Sequence, residues 1–187
     1  MTRIISGAYG GRRIATPAGA DTRPTADRVR EALFGALGPL DGLRFLDLYA
    51  GSGAVGLEAL SRGAEHAMLV EADARAARVA RENVTLLGAV RQAVLAVSRV
   101  EQTLGYGPPG PPYDVVYADP PYPTPEEDIA AMLAALVDRG WLGPDATVVV
   151  ERSRRSPEPA WPTGMPGVTL ERSRRYGDTV LWYGRGS

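Results

Sequence analysis

Asp47-Leu48-Tyr49-Ala50-Gly51-Ser52-Gly53-Ala54-Val55-Gly56 decides the fold of this chain. The apolar residues 43–48 predict a strand, and residues 53–62 predict a helix. Three glycines between and within them follow the spacing G-x-G-x-x-G, which lets the backbone turn tightly and approach a ligand closely. The stretch therefore predicts the first strand-to-helix turn of an open α/β sheet.

Strands and helices alternate through the middle of the chain. Further strands are predicted over 67–71, 90–97, 113–118 and 147–150, with helices over 73–87 and 125–139 and a short helical turn that reaches Leu104. This succession predicts an α/β fold with a doubly wound, mostly parallel sheet. Residues 168–175 and 179–183 flank a Tyr-Gly-Asp turn and predict an antiparallel C-terminal hairpin, which brings the sheet to seven strands.

The N-terminal residues follow a different pattern. Residues 3–15 predict a small β-hairpin around a glycine-rich turn, and a Pro/Gly/Asp loop follows over 16–24. Thr25 has the side chain of an N-cap for a helix that reaches Leu37. Because an isolated hairpin is marginal in water, this one must lean on the body of the protein or on a partner.

Composition narrows the class of protein. The 187 residues, 44% hydrophobic and 23% charged, suit one globular domain with a small appendage. There is no cysteine and one histidine, so disulfides and thiolate or histidine-rich metal sites are excluded, and we expect no metal. No long apolar run or signal-peptide pattern is present, so we expect a soluble, cytoplasmic protein that touches no membrane.

Charge is unevenly distributed along the chain. All 21 basic residues are arginine and the net charge is −1. Residues 1–35 hold six arginines against three acidic residues, and residues 151–187 hold seven against four. The intervening segment is acidic, with eight arginines against fifteen acidic residues. Two basic margins on an acidic body can steer a polyanion to one face, although solvated surface arginines would give the same count.

A second motif, Asp119-Pro120-Pro121-Tyr122, follows the apolar strand 113–118. It lies where open α/β sheets bind ligands. The Asp119 carboxylate and the Pro120 carbonyl can accept hydrogen bonds from an amino group, and the Tyr122 ring can stack on a base. The set suits the exocyclic amino group of a nucleobase, whereas the structural alternative is a proline-rich strand exit.

The glycine loop admits two kinds of ligand. With Glu71 at the end of the next strand, it could hold a dinucleotide, as in a nicotinamide-dependent oxidoreductase. Asp47 disfavours this interpretation because a carboxylate four residues before Gly51 repels a diphosphate and attracts a cation. S-adenosyl-L-methionine carries a sulfonium and an ammonium group and no phosphate. In the structural alternative the glycines serve only the turn, Asp47 caps the helix and Glu71 is solvated.

The two motifs together resemble those of class I S-adenosylmethionine-dependent methyltransferases that act on exocyclic amines. The flanking stretches 3–7, 23–34, 56–64 and 175–179 narrow the resemblance to RsmD-type methylases, which modify guanine N2 in 16S ribosomal RNA. The resemblance covers nearly the whole chain, and R-P-T-x-D-x-V-R-E-A-L-F over 23–34 is its most specific part. It implies a Rossmann-like methyltransferase domain over 25–187 and an RNA-recognition extension over 1–24.

The resemblance also implies functional residues. Catalytic positions are Asp119, Pro120, Pro121 and Tyr122. Cofactor-binding positions are Asp47, Tyr49, Ala50, Gly51, Ser52, Gly53, Glu71, Ala72, Ser98 and Arg99. Arg23, Thr25 and Arg30 would border the cofactor and RNA cleft. We also expect RNA contacts from the N-terminal hairpin, at Arg3, Tyr9, Arg12 and Arg13. The chain departs from many relatives at Val97-Ser98-Arg99-Val100, which lacks the carboxylate or amide that would contact the adenine amino group.

Substrate alternatives stay open at this point. The motif at 119–122 also serves adenine-N6 and cytosine-N4 methyltransferases acting on DNA or RNA. The chain has little room for a separate DNA-recognition domain, which favours structured RNA recognised by shape, within a small-subunit ribosomal particle. We expect a monomer. A non-catalytic RNA-binding assembly factor would need the basic margins but not Asp119 or Tyr122.

Overall fold

A computed structural model describes residues 1–19 and 24–187, except for the side chains of residues 24–26. In these ranges the elements are β1 (Thr2–Arg3), β2 (Arg13–Ile14), α1 (Pro24–Leu37), β3 (Arg44–Leu48), α2 (Ala54–Ser61), β4 (His66–Glu71), α3 (Ala74–Leu86), β5 (Ala93–Val97), α4 (Val100–Gly105), β6 (Tyr113–Ala118), α5 (Glu126–Asp138), β7 (Leu142–Ser153), β8 (Val168–Tyr176) and β9 (Thr179–Gly186). None of the helices in these ranges is long and apolar enough to cross a membrane.

Seven strands form the main sheet in the order β5-β4-β3-β6-β7-β9-β8. The first five are parallel, and β9 pairs antiparallel with both β7 and β8. The predicted mostly parallel sheet with an antiparallel C-terminal hairpin is therefore confirmed. Leu48 on β3 pairs with Val70 on β4 and with Ala118 on β6, so these three strands end level with one another. The residues that follow them meet at one edge of the sheet.

The core lies on both faces of this sheet. Consecutive strand residues serve opposite faces, since Phe45 packs with α1 and α2 residues such as Leu33 and Leu57, and Leu46 packs with Leu133 of α5. Full burial of such a side chain contributes about 1.5–3 kcal/mol. The helices thus fix the central strands from both sides and hold their carboxyl ends in place.

The N-terminal hairpin leans on the body of the protein, one of the two possibilities predicted for it. Ile4 and Ile14 are fully buried in the same core cluster as Leu57 of α2. The backbone N–H groups of Ile5 and Ser6 donate to the Glu58 carboxylate at 2.8 and 3.1 Å. The two short strands β1 and β2 are stabilised by these contacts with α2, which a free hairpin would lack.

Strand β7 is longer than predicted. It begins at Leu142 and ends at Ser153, whereas the sequence predicted only 147–150. The pairing with β6 shifts register, because Tyr113 pairs with Leu142 and Val115 pairs with Thr147. The irregular residues between these pairs include Asp145, with a φ of 56°. They resemble a turn in sequence, which is why the early part of the strand was missed.

Candidate active site

A cavity of about 770 Å³ opens at the edge where β3, β4 and β6 end. Tyr49, Glu71 and Asp119, the residues that follow or close these strands, line it together with residues of α4 and α5. Tyr49 has a φ of 61°, an unusual conformation for a residue other than glycine. The cavity therefore forms where the sequence predicted ligand binding in an open α/β sheet.

The glycines of the loop between β3 and α2 have distinct tasks. Gly51 and Gly53 have φ values of 57° and 82°, which only glycine adopts without strain. A Cβ atom at Gly56 would lie 2.2 Å from the Leu69 side chain, so this glycine allows α2 to pack directly against the sheet. The loop geometry accounts for all three positions of the motif.

Asp47 lies below this loop and is only 1% exposed. Its Oδ2 atom accepts a hydrogen bond from the Gly56 N–H at 2.9 Å, in the first turn of α2, so it does cap the helix as the structural alternative held. Burial, and to a lesser degree the Glu71 carboxylate, raise the pKa of Asp47 to about 7 although the Gly56 bond lowers it. Asp47 is thus a buried carboxylate that does not itself line the cavity.

Glu71 connects the glycine loop to the start of α3. Its Oε1 atom accepts from the Gly51 N–H at 2.7 Å, and its Oε2 atom accepts from the Asp73 N–H at 2.8 Å. Each carboxylate oxygen has a second lone pair that remains available for a ligand hydroxyl. Glu71 is thus held in place by the backbone while it lines the cavity.

The predicted cofactor residues divide into two groups. Four of them line the cavity, namely Tyr49, Glu71, Ala72 and Arg99. The others are not among its lining residues: Asp47, Ala50, Gly51, Ser52, Gly53 and Ser98. The Ser98 hydroxyl is directed to the Arg99 carbonyl and to Gln102, at 3.4 Å each. Glu101, which the sequence analysis did not single out, lines the cavity and pairs with Arg99 at 2.6 Å.

Asp119 lies in a cluster of acidic groups. Desolvation and then the Glu151 carboxylate raise the pKa of Asp119 well above its usual range, with a smaller contribution from Asp47. Part of the residue is still exposed to solvent and to the cavity. The Tyr117 hydroxyl donates to Glu151 Oε2 at 2.7 Å and fixes that neighbour. Glu151 comes from β7 and was not predicted as a site residue.

The rest of the motif surrounds this carboxylate. Pro120 is buried, and within the described part of the chain no residue donates a hydrogen bond to its carbonyl oxygen. Pro121 lines the cavity. Tyr122 is 75% exposed, and its hydroxyl donates to Ser153 Oγ at 2.6 Å, which orients the ring at the edge of the sheet. Of the four predicted catalytic residues, Asp119 and Pro121 thus line the cavity, whereas Tyr122 lines a separate, smaller pocket.

Arg30 requires a correction, because it does not border a cleft. Its side chain is buried, and its guanidinium pairs with Glu58 at 3.6 Å and with Asp27 at 3.3 Å. It also donates to the Arg3 carbonyl. A helix residue with such partners stabilises the attachment of the N-terminal hairpin, so the prediction of an RNA contact at Arg30 is not supported.

Tyr9 lies in the hairpin turn as predicted, at the opposite end of α2 from the cavity, and its RNA contact stays a prediction. Its backbone N–H donates to Ser61 Oγ at 2.9 Å, at the carboxyl end of α2, whereas the cavity lies near the amino end of that helix. Arg12 is held by the Leu86 carbonyl at 2.8 Å, and Arg3 and Arg13 are exposed on the paired strands. The hairpin turn is thus directed away from the cavity. Two further predicted RNA contacts, Arg23 and the side chain of Thr25, lie outside the described residues.

Asn83 was missed although it links three parts of the site. Its amide nitrogen donates to the carbonyls of Ala15 and Ser52 at 2.9 and 3.0 Å, and its amide oxygen accepts from the Ala15 N–H. It therefore ties the hairpin and the glycine loop to α3. The one feature of the sequence that could have identified Asn83 is its position on the buried face of the amphipathic helix α3.

Comparison with known proteins places the chain in a family. A family profile described as conserved hypothetical protein 95 matches residues 2–185. Ribosomal RNA small subunit methyltransferase D of Escherichia coli is 39% identical over 153 residues, which cover 80% of this chain and 73% of that protein. The chain belongs to the RsmD family.

Other members share the whole length of the chain. The Bacillus subtilis protein YlbH is 35% identical over 179 residues, which cover 95% of each protein. The solved structure of the Escherichia coli protein yhhF superposes with a TM-score of 0.84 at 32% identity and covers 100% of this chain and 98% of that one. The RsmD resemblance drawn from the motifs and the methyltransferase fold are therefore confirmed.

Proposed function

We propose that this RsmD-family chain uses S-adenosyl-L-methionine to methylate the exocyclic N2 amino group of a guanine in 16S ribosomal RNA. One observation carries the proposal: Asp119 and Pro121 line an acidic cavity at the carboxyl edge of the sheet, and the exposed Tyr122 follows them directly in the chain. This arrangement offers two acceptors and one stacking surface to an aromatic amine. A relative that is 39% identical carries the name of a small-subunit ribosomal RNA methyltransferase.

The charge of the cavity favours an onium cofactor over a dinucleotide. The acidic residues that line it are Glu71, Asp73, Glu101, Asp119 and Asp128. Arg99 and Arg139 also line it, but Arg99 is paired with Glu101. A pyrophosphate would meet several carboxylates and one unpaired arginine, whereas a sulfonium and an ammonium group would be attracted. The oxidoreductase alternative is disfavoured on this ground.

Particular residues would hold the cofactor, which supplies an electrophilic methyl group when bound. Glu71 has a lone pair on each oxygen for the two ribose hydroxyls. The backbone of the glycine loop and the charge of Asp47 beneath it suit the methionine portion. Leu104 and Met132 give the cavity an apolar side that suits the adenine ring. Glu101 supplies a carboxylate for the adenine amino group, which the segment 97–100 lacks.

The target base would be unstacked and placed against Tyr122. Its amino group donates one N–H to the Asp119 carboxylate and the other to the Pro120 carbonyl, so the nitrogen lone pair is left to react. The proton that the nitrogen loses when it is alkylated passes to the Asp119 and Glu151 carboxylates. The chain acts mainly by positioning and by electrostatics, without a covalent enzyme intermediate.

Guanine N2 in ribosomal RNA is preferred over the other amines that this motif can serve. The 39% identical relative, which is named as a small-subunit ribosomal RNA methyltransferase, supports small-subunit RNA as substrate. A ribosomal particle as the assembled partner, a monomeric state and a cytoplasmic location stay predictions. The division of the chain into an RNA-recognition extension over 1–24 and a methyltransferase domain over 25–187 also stays a prediction.

The test is Asp119→Ala, assayed with small ribosomal subunits from cells lacking this protein. We expect methyl transfer to be abolished while calorimetry shows S-adenosylmethionine affinity within about threefold of wild type, since Asp119 holds the amine. Mass mapping of the RNA identifies the methylated nucleotide. Asp138→Ala, an exposed carboxylate at the end of α5, is the matched control.

Three outcomes would contradict the proposal. One is equal loss of cofactor affinity and turnover in Asp119→Ala. Another is faster methylation of a DNA oligonucleotide than of small subunits assayed side by side. The third is tight binding of NADH in place of S-adenosylmethionine.

A further inference from the structure

The C-terminal hairpin brings its turn to the same edge as Tyr122. Strand β7 ends at Ser153, which pairs with Thr179 at the start of β9. The backbone N–H of Arg154 donates to the Asp178 carbonyl at 2.9 Å, which fixes the turn between β8 and β9 against the end of β7. Since β7 is parallel to β6, this end is also the one that carries Asp119.

A small notch of about 220 Å³ lies between these elements. It is lined by Tyr122, Ser153, Arg154, Arg155 and Asp178, and is called the arginine notch below. The Ser153 hydroxyl oxygen accepts from the Tyr122 hydroxyl at 2.6 Å and from the Arg155 backbone N–H at 3.2 Å. The notch and the Tyr122 ring are therefore joined through one hydroxyl group.

The notch carries an excess of positive charge. Arg154 pairs with Asp178 at 3.2 Å, but no carboxylate in the described part of the chain pairs with Arg155. Arg174 and Arg175 on the neighbouring edge strand β8 are exposed and likewise meet no described carboxylate. In contrast, Arg152 of the same segment is buried and pairs with Glu126. Arg174 and Arg175 donate to the carbonyls of Ser173 and Gly177, at 3.3 and 3.1 Å, so Arg155 is the notch arginine whose guanidinium has no partner among the described residues.

We propose that the arginine notch binds a backbone phosphate of the RNA next to the target nucleotide, an inference that rests on the proposed function. Guanidinium forks recognise phosphate oxygens in a fixed geometry, and a neighbouring hydroxyl group adds a further contact. Phosphate contacts set the position of a nucleic acid without reading its sequence. A phosphate held here would place its nucleotide beside Tyr122, through which the notch is coupled to the catalytic corner.

The N-terminal hairpin does not offer an equivalent site. Arg30 is buried in an ion-pair network, and the guanidinium of Arg12 is engaged by the Leu86 carbonyl. The turn of the N-terminal hairpin, which includes Tyr9, contacts the carboxyl end of α2. Among the described arginines, Arg155 combines a guanidinium without a partner with a place beside Tyr122 in the notch.

The experiment compares Arg155→Gln with Arg91→Gln, an exposed arginine at the opposite end of the sheet just before β5. Steady-state methylation of small subunits gives kcat and KM, and filter binding at several salt concentrations gives the salt dependence of RNA affinity. For Arg155→Gln we expect KM to rise about tenfold, the effect of losing one charged hydrogen bond. The slope of the logarithm of RNA affinity against the logarithm of salt concentration, called the salt slope, should fall in magnitude by about one unit. The value of kcat should stay within about twofold of wild type.

Arg155→Lys keeps the charge and is expected to recover most of the salt slope. Circular dichroism melting checks that all variants fold alike. Equal KM values and salt slopes for Arg155→Gln and Arg91→Gln would overturn the inference while leaving the proposed function intact. Failure of the wild-type protein to methylate ribosomal RNA would instead overturn the proposed function, and the inference with it.

Discussion

Two sets of carboxylates in this protein have opposite surroundings. Glu58, fully buried in α2, accepts two backbone N–H groups and pairs with Arg30 at 3.6 Å and with Arg62 at 2.8 Å. Asp47, 1% exposed, has one backbone donor, and its nearest charged influence is the Glu71 carboxylate. Asp119 likewise lies beside Glu151.

The difference separates stabilising from binding carboxylates. Glu58 is compensated within the chain and holds the N-terminal hairpin on α2. The Asp47 and Asp119 carboxylates lie near other carboxylates, and in the function proposed above they meet a cation or a hydrogen-bond donor of the ligand. Such uncompensated charge lowers the stability of the free protein and favours ligand binding, which is a common relation between activity and stability. Removing the two kinds of carboxylate should therefore change stability in opposite directions.

Glu58→Ala should have the largest effect. It removes the buried carboxylate beside Arg30, which keeps only the half-buried Asp27 as a charged partner, and it removes the acceptor of the Ile5 and Ser6 N–H groups. Breaking a buried ion pair in this way costs about 3–5 kcal/mol of the free energy of unfolding. Urea denaturation followed by circular dichroism measures it. Glu65→Ala, at an exposed carboxylate, is the control and should change stability by less than about 0.5 kcal/mol.

If Glu58→Ala lost less than about 1 kcal/mol of the free energy of unfolding, the contrast between Glu58 and Asp47 would be wrong, since Glu58 would then not hold the hairpin. The ring of Phe34, 5.0 Å from the Arg62 guanidinium, can retain Arg62 after the substitution. Most of the loss should therefore arise from Arg30. The double variant Glu58→Ala/Arg30→Met should recover part of the stability, because it removes the uncompensated buried charge.

Asp47→Asn should stabilise the protein. The pKa of Asp47 rises from its ordinary value of 3.8 to about 7 in the fold. The folded protein thus keeps a proton that the unfolded chain releases, and stability falls as pH rises from about 4 to 7. Asparagine can still accept from Gly56 and carries no charge. We expect a gain of about 2 kcal/mol at pH 8 that disappears below about pH 4.

Urea denaturation of both proteins at a series of pH values measures this gain. The variant should also bind S-adenosylmethionine about tenfold more weakly, because the negative charge beneath the loop is lost. Exposed Asp138→Asn should change neither quantity. A variant that is less stable than wild type at pH 8 would mean that Asp47 is compensated in the same way as Glu58.

Much of the fold was predictable because local pattern and tertiary structure agree. The strands over 43–48 and 113–118 are buried on both faces, so their apolar runs stand out in sequence. The glycine spacing and the motif at 119–122 located the cavity edge, since both follow such strands. Residues 142–146 were missed because Gly, Pro and Asp within an irregular strand resemble a turn.

Roles that depend on distant partners were not predictable. Arg30 and Arg155 are both arginines in basic segments, yet the first pairs with Glu58 in the interior and the second faces the notch beside Tyr122. A count of charges along the chain does not distinguish them. Glu151 became a site residue only through the pairing of β6 with β7, which places it beside Asp119.

Among the substitutions that test the contrast between these carboxylates, Glu151→Gln should have the smallest effect. The Glu151 carboxylate is one cause of the raised pKa of Asp119, after desolvation. Glutamine removes this charge, so the pKa of Asp119 should fall and the carboxylate should be ionised at lower pH. Because the ionised form accepts the target N–H, the acidic limb of the pH profile of the methylation rate should move to lower pH. The maximal rate of that profile should stay within about twofold of wild type.

Glu171→Gln, at a carboxylate paired with Arg185 on the edge of the sheet, is the control and should leave the acidic limb in place. A limb that moves to higher pH, or does not move, would mean that Glu151 does not set the charge of Asp119.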